Sequence, residues 1–492
     1  MAYIFGDSFD FYAATADALA GHWDSGGTNW TLLTTGRFAG SQSLRSNTSG
    51  VYLTKSSGSN DAVHHFVCAF QQTATLSGTT AAMYLQLLDG TTNQCCIVFR
   101  SDGAMLLTSG GPTGTTLATY AGAVSAQNTW TAFECEVVIH NTAGSFIVRK
   151  NGNTGAADFS ATSLNTRGGT ANNYANKLTV GTSTAISNQL IDDLLWRSDA
   201  SSVAWVGDIR AYQLLPASDA SAQFSRSPSP YPVIPNTGTS TASIVNGTAR
   251  YTPFTAPVNG TLNTVSITLA AGYTGNMKCS LFTNAAGVVT TVIASATAIV
   301  NPVSGANTFT FSSPPTLVKG TSYYLGFISD TSSGTWQVTA ATAGFSGTGV
   351  SYAAFPSGTP VTSAAAGPII TANITPTASA DYVSEAQQDG TTTYVYDSTV
   401  GHADLYNISP LPLTPTLIVG VNLRGFMAKS DAGSRSGQLQ MKSGSTTVQS
   451  TPLALSTSFL WNSRFDTVDP NTSTVWTAAG VNAVQIGPVV QA

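Results

Sequence analysis

Hydrophobic and polar residues alternate along most of this chain with a period of two, in short runs separated by Gly, Asn, Ser and Asp. Successive side chains of a strand point to opposite faces, so the pattern predicts half-buried β-strands rather than helices. One stretch shows it well. Trp130 to His140 alternates, Asn141-Thr142-Ala143-Gly144 turns the chain, Ser145 to Lys150 returns, and Asn151-Gly152 supplies the next tight turn. A second hairpin is predicted from Gln438 to Lys442, with Leu439 and Met441 inward, Gln438 and Gln440 outward, and a turn at Ser443-Gly444. Helices fit only in short pieces, such as two turns over Ala13 to Ala20. The predicted class is all-β, as antiparallel β-sandwiches in tandem.

Shifts in composition divide the chain into three. Residues 1–217 hold most of the aspartates and four of the five histidines. A proline-rich stretch, Ser227-Pro228-Ser229-Pro230-Tyr231-Pro232-Val233-Ile234-Pro235, falls in a predicted linker at 218–236; its alternating prolines favour an extended, semi-rigid spacer. A module at 237–380 follows, in which Arg250, Lys278, Lys319 and Asp330 are the only charged residues, and aspartates return in a third region at 381–492.

That uneven distribution belongs to a wider deficit. Of 492 residues only 9% are charged, against roughly a quarter in an ordinary soluble domain. Ser, Thr, Asn, Gln and Gly replace them, and the glutamates are only Glu134, Glu136 and Glu385. The net charge of −5 and the scattered basic residues exclude a nucleic-acid groove. The first basic residue is Arg37, so no export signal is expected at the N-terminus. The most apolar stretch, Val288 to Val300, is interrupted by Thr290, Thr291, Ser295 and Thr297, and no membrane insertion is expected. The five cysteines include no C-x-x-C pair, and Cys68, Cys135 and Cys279 alternate with apolar neighbours, which predicts buried thiols. Cys95 and Cys96 should face opposite sides of a strand.

Several of these segments carry a resemblance. Phe5-Gly6-Asp7-Ser8-Phe9-Asp10 leading to His22-Trp23-Asp24, the hairpin from Trp130 to Gly152, and Ile191-Asp192-Asp193-Leu194-Leu195-Trp196 followed by Trp205-Val206-Gly207-Asp208-Ile209-Arg210 resemble virion proteins of tailed phages and prophages built on laminin-G-like or concanavalin-like jelly rolls. Asp381-Tyr382-Val383-Ser384, Asp404-Leu405-Tyr406, Ala428 to Arg435, and Asp469-Pro470 with Val475-Trp476-Thr477 are similar to a domain found downstream of such jelly rolls in tail and appendage proteins. The resemblance implies three jelly-roll-like sandwiches in a structural component of a phage particle. That component would be a fibre, spike or decoration on tail, neck or head, assembled in the bacterial cytoplasm as a homo-oligomer among other virion proteins. The charge-poor middle module stands outside the expected arrangement.

Candidate chemistry is sparse. Glu134 and Glu136, two apart on a predicted strand, share a face with Cα atoms about 6.6 Å apart, a spacing compatible with a glycosidase pair. Hydrolases of the resembled fold carry a third carboxylate further along that strand, where this chain has Val137, Val138 and Ile139, so the expectation is two acids on a solvated face and no enzyme. Asp192 and Asp193 should point to opposite faces. The simpler reading has them satisfied by backbone amides; the resemblance also implies that rim aspartates can hold Ca²⁺, the one cofactor considered. His64 and His65 face opposite ways and read as structural. No G-x-S-x-G, H-E-x-x-H or Walker-type segment occurs. No catalytic or metal residue is therefore assigned. For ligand binding, the candidates are the aromatics of the middle module, chiefly Tyr324 and Trp336, as a platform for a host surface glycan; core packing is the competing role for both.

Overall fold

The computed structural model describes residues 3–14, 16–17, 21–27, 30–46, 50, 52–183, 189–201, 204–227, 231–233, 240–285, 288–338, 344–348, 350–356, 363–385 and 387–491. The all-β expectation holds: the described chain is a succession of antiparallel strands, with one five-residue α-helix at Ala478–Asn482. The helix expected over 13–20 lies partly outside the described residues. No helix among the described residues is long and apolar enough to cross a membrane.

The chain forms two compact units, one of residues 1–215, 385–389 and 398–492, the other of 216–384 and 390–397. The first contains a sandwich of two sheets. One sheet runs, in spatial order, Phe159–Leu164, Gly144–Lys150, Thr131–Val138, Val63–Gln72, Gln189–Asp199, Ser43–Ser46 and Trp30–Leu33, with Tyr3–Asp7 also paired to Gln189–Asp199. The facing sheet runs Thr116–Tyr120, Met105–Ser109, Thr92–Arg100, Ala81–Asp89, Ala175–Thr182, Tyr52–Asp61 and Ser25–Gly26. Alternate residues of both meet in one core, where Phe70 stacks on Phe99 with ring centroids 4.2 Å apart. The hairpin read from the sequence is there: Thr131–Val138 pairs with Gly144–Lys150, and the next turn has Asn151 and Gly152 both at positive φ.

The same unit holds a smaller sheet, with Ser436–Ser443 between Thr446–Gln449 and Gln485–Val490, and a ribbon of Val421–Met427 with Leu460–Asp466. Leu439 and Met441 point inward as expected. Gln438 and Gln440 do not face solvent; both are buried, because their amides donate to the carbonyls of Ser450 and Asp404 on neighbouring segments. Partners for both amide groups let a glutamine take an interior position.

The second unit is another sandwich. In one sheet Tyr231–Val233, Ile370–Pro376, Gly260–Ala271, Thr335–Val338 and Ser240–Ser243 lie side by side; the other contains Val288–Ser295, Asn276–Ala285, Ser322–Ser329, Thr248–Thr255, Gly344–Thr348 and Ser363–Ala365. Part of the proline-rich stretch pairs as an edge strand. Tyr231–Val233 pairs with Ile370–Pro376 at the border of its sheet, where a proline's missing N–H is tolerated.

Candidate functional site

All five cysteines are buried and unbridged, and Cys95 and Cys96 do serve opposite faces, one in the main core and one in a small cluster with Tyr84, Val98 and Leu106. Burial pushes the Cys68 thiol up to about 12, which leaves it unreactive at neutral pH.

The aromatics proposed as a sugar platform are not exposed. Trp336 is 1% exposed inside the core of the second unit, beside Phe327. Tyr324 is 2% exposed although it points away from that core. Alternation on the strand Ser322–Ser329 is intact, but the outward face is roofed by Val350 and Phe355, with Tyr251, Phe282, Val289 and Ile328 completing a second cluster. Lys278 fixes that roof by donating to the carbonyl of Tyr352 at 2.8 Å. A sheet covered on both faces needs aromatics on both, a burial that alternation alone does not reveal.

The charged side chains of the first unit are also drawn inward, in three places. Glu134 is buried rather than solvated: its carboxylate accepts from the backbone N–H of Val206 and, at 2.8 Å, of Gly207. His65 Nε2 lies 3.4 Å from it, and the His65 ring meets Trp205 edge to face. Burial holds the His65 pKa down at about 3, so the ring is neutral at ordinary pH. On the other face of the strand His64 contacts the Asp61 carbonyl and accepts from Trp196 Nε1, and burial lowers its pKa to about 4. The carboxylate of Glu134 holds a loop in place.

A second cluster surrounds Asp7. Its carboxylate accepts from Phe9 N at 2.9 Å, Tyr12 Oη at 2.7 Å and Trp23 Nε1 at 2.7 Å. The bond to Phe9 closes a turn in which Phe9 adopts φ 61°. Arg424, from the C-terminal ribbon, stands 3.9 Å from Asp7, lies over the Phe11 ring and donates to the Gly6 carbonyl.

The third place is the strand bulge at Asp192-Asp193. Asp192 pairs with Ala69 and Leu195 with Val67, so one extra residue is accommodated and Asp193 takes φ 50°. Asp tolerates this left-handed conformation better than most residues. The bulge breaks the alternation that the sequence led us to expect, and both carboxylates are buried. Asp192 accepts from the N–H of Arg37 and of Asp193, and Asp193 Oδ1 from that of Ala211, which matches the backbone-amide reading. Arg37 also clamps Asp208 with its guanidinium. Burial holds both carboxyl groups of the bulge well above the usual carboxylate range, helped by the charge of Asp193 at Asp192 and by those of Asp10 and Asp208 at Asp193.

Beside the bulge opens a cleft of about 140 Å³, lined among others by Asp10, Phe38, Ser41, Asp193, Arg210 and Tyr212. The Arg210 guanidinium stacks 3.7 Å from the Phe38 centroid and 4.6 Å from that of Tyr212. Sequence reasoning passed over Asp10 and Arg210 as ligand groups, although both sit inside the quoted motifs; nothing in the sequence signals that Phe38 and Tyr212 converge on them. For calcium the geometry is unfavourable. Among the described residues no group of three or more His, Cys, Asp or Glu is arranged to hold a metal ion, and the bulge carboxylates face an arginine.

No family model matches this chain, and no curated protein does. Solved structures give distant likenesses. The botulinum neurotoxin serotype D binding domain is 12% identical over 36% of this chain and 43% of its own length, at a TM-score of 0.26. The VIP36 exoplasmic/lumenal domain in its Ca²⁺/Man3GlcNAc-bound form is 8% identical over 36% of this chain and 83% of that one, at 0.25. A carbohydrate esterase of the Shiga toxin-encoding bacteriophage phi24B is 15% identical over 39% and 99%, at 0.28. Likenesses this remote assign neither a residue nor an activity.

Proposed function

We propose that the protein is a non-enzymatic structural component of a tailed-phage particle, a fibre, spike or decoration that works by association with copies of itself and with other virion proteins. One observation carries this reading: the few charges of the charge-poor stretch are tied to groups of their own unit. In the second unit Arg250 donates to the Ala366 carbonyl, Lys278 to that of Tyr352, Lys319 to the Ser384 hydroxyl, and Asp330 accepts from Asn276. A surface of hydroxyls, amides and single apolar residues packs against neighbours without stripping water from unpaired charges. The jelly-roll resemblance of the flanking motifs points the same way. Labelling this chain on purified particles and imaging them at low resolution tests the proposal; a chain absent from the particle sinks it.

A second reading, recognition of a host surface glycan, is favoured by the solvent-open cleft at the bulge. Hydrolysis of such a glycan is not proposed, since Glu134 is held by two backbone amides. With capsule or lipopolysaccharide as substrate, wild type and Glu134→Gln are expected to release no new reducing ends.

A further inference from the structure

We propose that Asn246 is a site of spontaneous deamidation, while the fold holds the chain's other Asn-Gly pairs unreactive. The reaction needs water and no other partner, so it stands apart from both readings of the protein's role.

The step is one that an asparagine followed by glycine can take. The Gly247 backbone nitrogen gives up its proton and bonds to Asn246 Cγ; the bond from Cγ to the side-chain nitrogen breaks, and ammonia leaves. A five-membered succinimide results. Water then adds to one of its two carbonyls, and the ring opens to an aspartyl residue or, with the main chain rerouted through the side chain, to an isoaspartyl residue. Glycine favours the attack because it places no Cβ beside the attacking nitrogen. The sequence offers Asn151-Gly152, Asn246-Gly247 and Asn259-Gly260, and does not choose among them.

The structure does. Asn151 is pinned: its side-chain oxygen accepts from Ala132 N at 3.1 Å, and a Cβ added at Gly152 would stand 3.3 Å from Cβ of Asp208, a residue that Arg37 clamps. Asn259 is pinned harder. Its side-chain oxygen accepts from Lys319 N at 3.0 Å, and Gly260 opens the strand Gly260–Ala271, paired there with Leu317 and Pro376. An added Cβ at Gly260 would lie 2.5 Å from the Thr375 carbonyl oxygen. Asn246 differs on each count. It is exposed, and neither its side-chain amide nor the Gly247 N–H has a hydrogen-bond partner among the described residues. The space around Gly247 is open, since an added Cβ would meet only the Val350 carbonyl oxygen, at 3.8 Å. The bonds that fix this turn use other atoms: Asn246 N donates to Ser332 Oγ at 2.9 Å, Val350 N to the Gly247 carbonyl at 3.2 Å, and Thr248 N to the Val245 carbonyl at 3.1 Å.

The product changes the second unit's charge. Its cations and anions balance, so one carboxylate at position 246 leaves it net negative. The isoaspartyl form also lengthens the main chain in the turn between Ser240–Ser243 and Thr248–Thr255.

Peptide mapping by mass spectrometry tests this on the full chain, incubated folded in mildly alkaline buffer and, in parallel, unfolded in urea. Conversion is read as the small mass gain of NH₂ replaced by OH, and the isoaspartyl form by labelling with an isoaspartyl methyltransferase. In the folded chain position 246 is expected to convert roughly tenfold or more faster than 151 and 259, where a hydrogen bond and a crowded backbone must give way first. In urea the three rates should converge. Asn246→Gln, which cannot close the five-membered ring, should remove the acidic species that ion exchange separates from aged wild type. Equal conversion at the three positions in the folded chain overturns the inference. So does a position 246 that converts in urea but not when folded, or an acidic species that persists undiminished in Asn246→Gln.

Discussion

His64 is fully buried, yet both of its ring nitrogens are engaged, one with the Asp61 carbonyl and one with Trp196 Nε1. Its proton balance follows from that burial. Folded, the ring charges only near pH 4; unfolded, it charges at the ordinary value of 6.5. The unfolded chain therefore binds the extra proton between those values, and the stability that neutral His64 supports is complete above pH 6.5 and lost as pH falls towards 4, by roughly 3 kcal/mol. The raised carboxyls of Asp192 and Asp193 act with the opposite sign, since their protonated forms favour folding at low pH and that benefit is lost as pH rises. Urea unfolding at pH 7 and pH 4.5 separates these contributions. His64→Gln keeps an acceptor for Trp196 and a donor for Asp61 but cannot titrate, so wild type should lose about 2 kcal/mol more than the variant on acidification to pH 4.5. Arg424→Met is the companion experiment at the Asp7 cluster. Removing the cation leaves Asp7 buried without its charge partner, and unfolding by denaturant should show a loss of about 3–5 kcal/mol.

Among the elements, close approach of backbones decides what the sequence can tolerate. Gly487 lies on the strand Gln485–Val490, where an added Cβ would sit 2.0 Å from the carbonyl oxygen of Asp404. Gly487→Ala must push two backbones apart, and a melting curve should report a loss of about 1–3 kcal/mol. Strands and hairpins were legible because alternation and turn residues are local signals, as at Asn151-Gly152. What stayed hidden depends on neighbours distant in sequence. Tyr324 obeys its strand's alternation, but only the fold brings Val350 and Phe355 over it. Gln440 reads as outward until the Asp404 carbonyl appears beside it. At Asp192-Asp193 the inserted residue shifts the register, and one left-handed φ aims a carboxylate where strict alternation would not. The candidate cleft lies beside that local exception, and its walls come from four separate segments, at Asp10, Phe38, Asp193 and Arg210.

For the whole molecule, the first unit gathers sequence from both ends of the chain. The ribbon Val421–Met427 with Leu460–Asp466 supplies Arg424 to Asp7 and Trp461 to Phe11, Tyr12 and the Asp17 carbonyl. A fragment of residues 1–215 would expose those rings and strand the Asp7 carboxylate. Differential scanning fluorimetry should place its melting temperature roughly 10 °C below that of the whole chain, and equal values would mean that the jelly roll folds without its C-terminal partner. In the second unit the four charges of its charge-poor stretch, Arg250, Lys278, Lys319 and Asp330, each bond to a group of the same unit, and the unit's cations and anions balance. With so little field beyond a Debye length, whatever meets this unit arrives by unguided diffusion. Its encounter rate should stay near the unsteered range of about 10⁵–10⁶ M⁻¹s⁻¹ and hardly change between dilute buffer and strong brine.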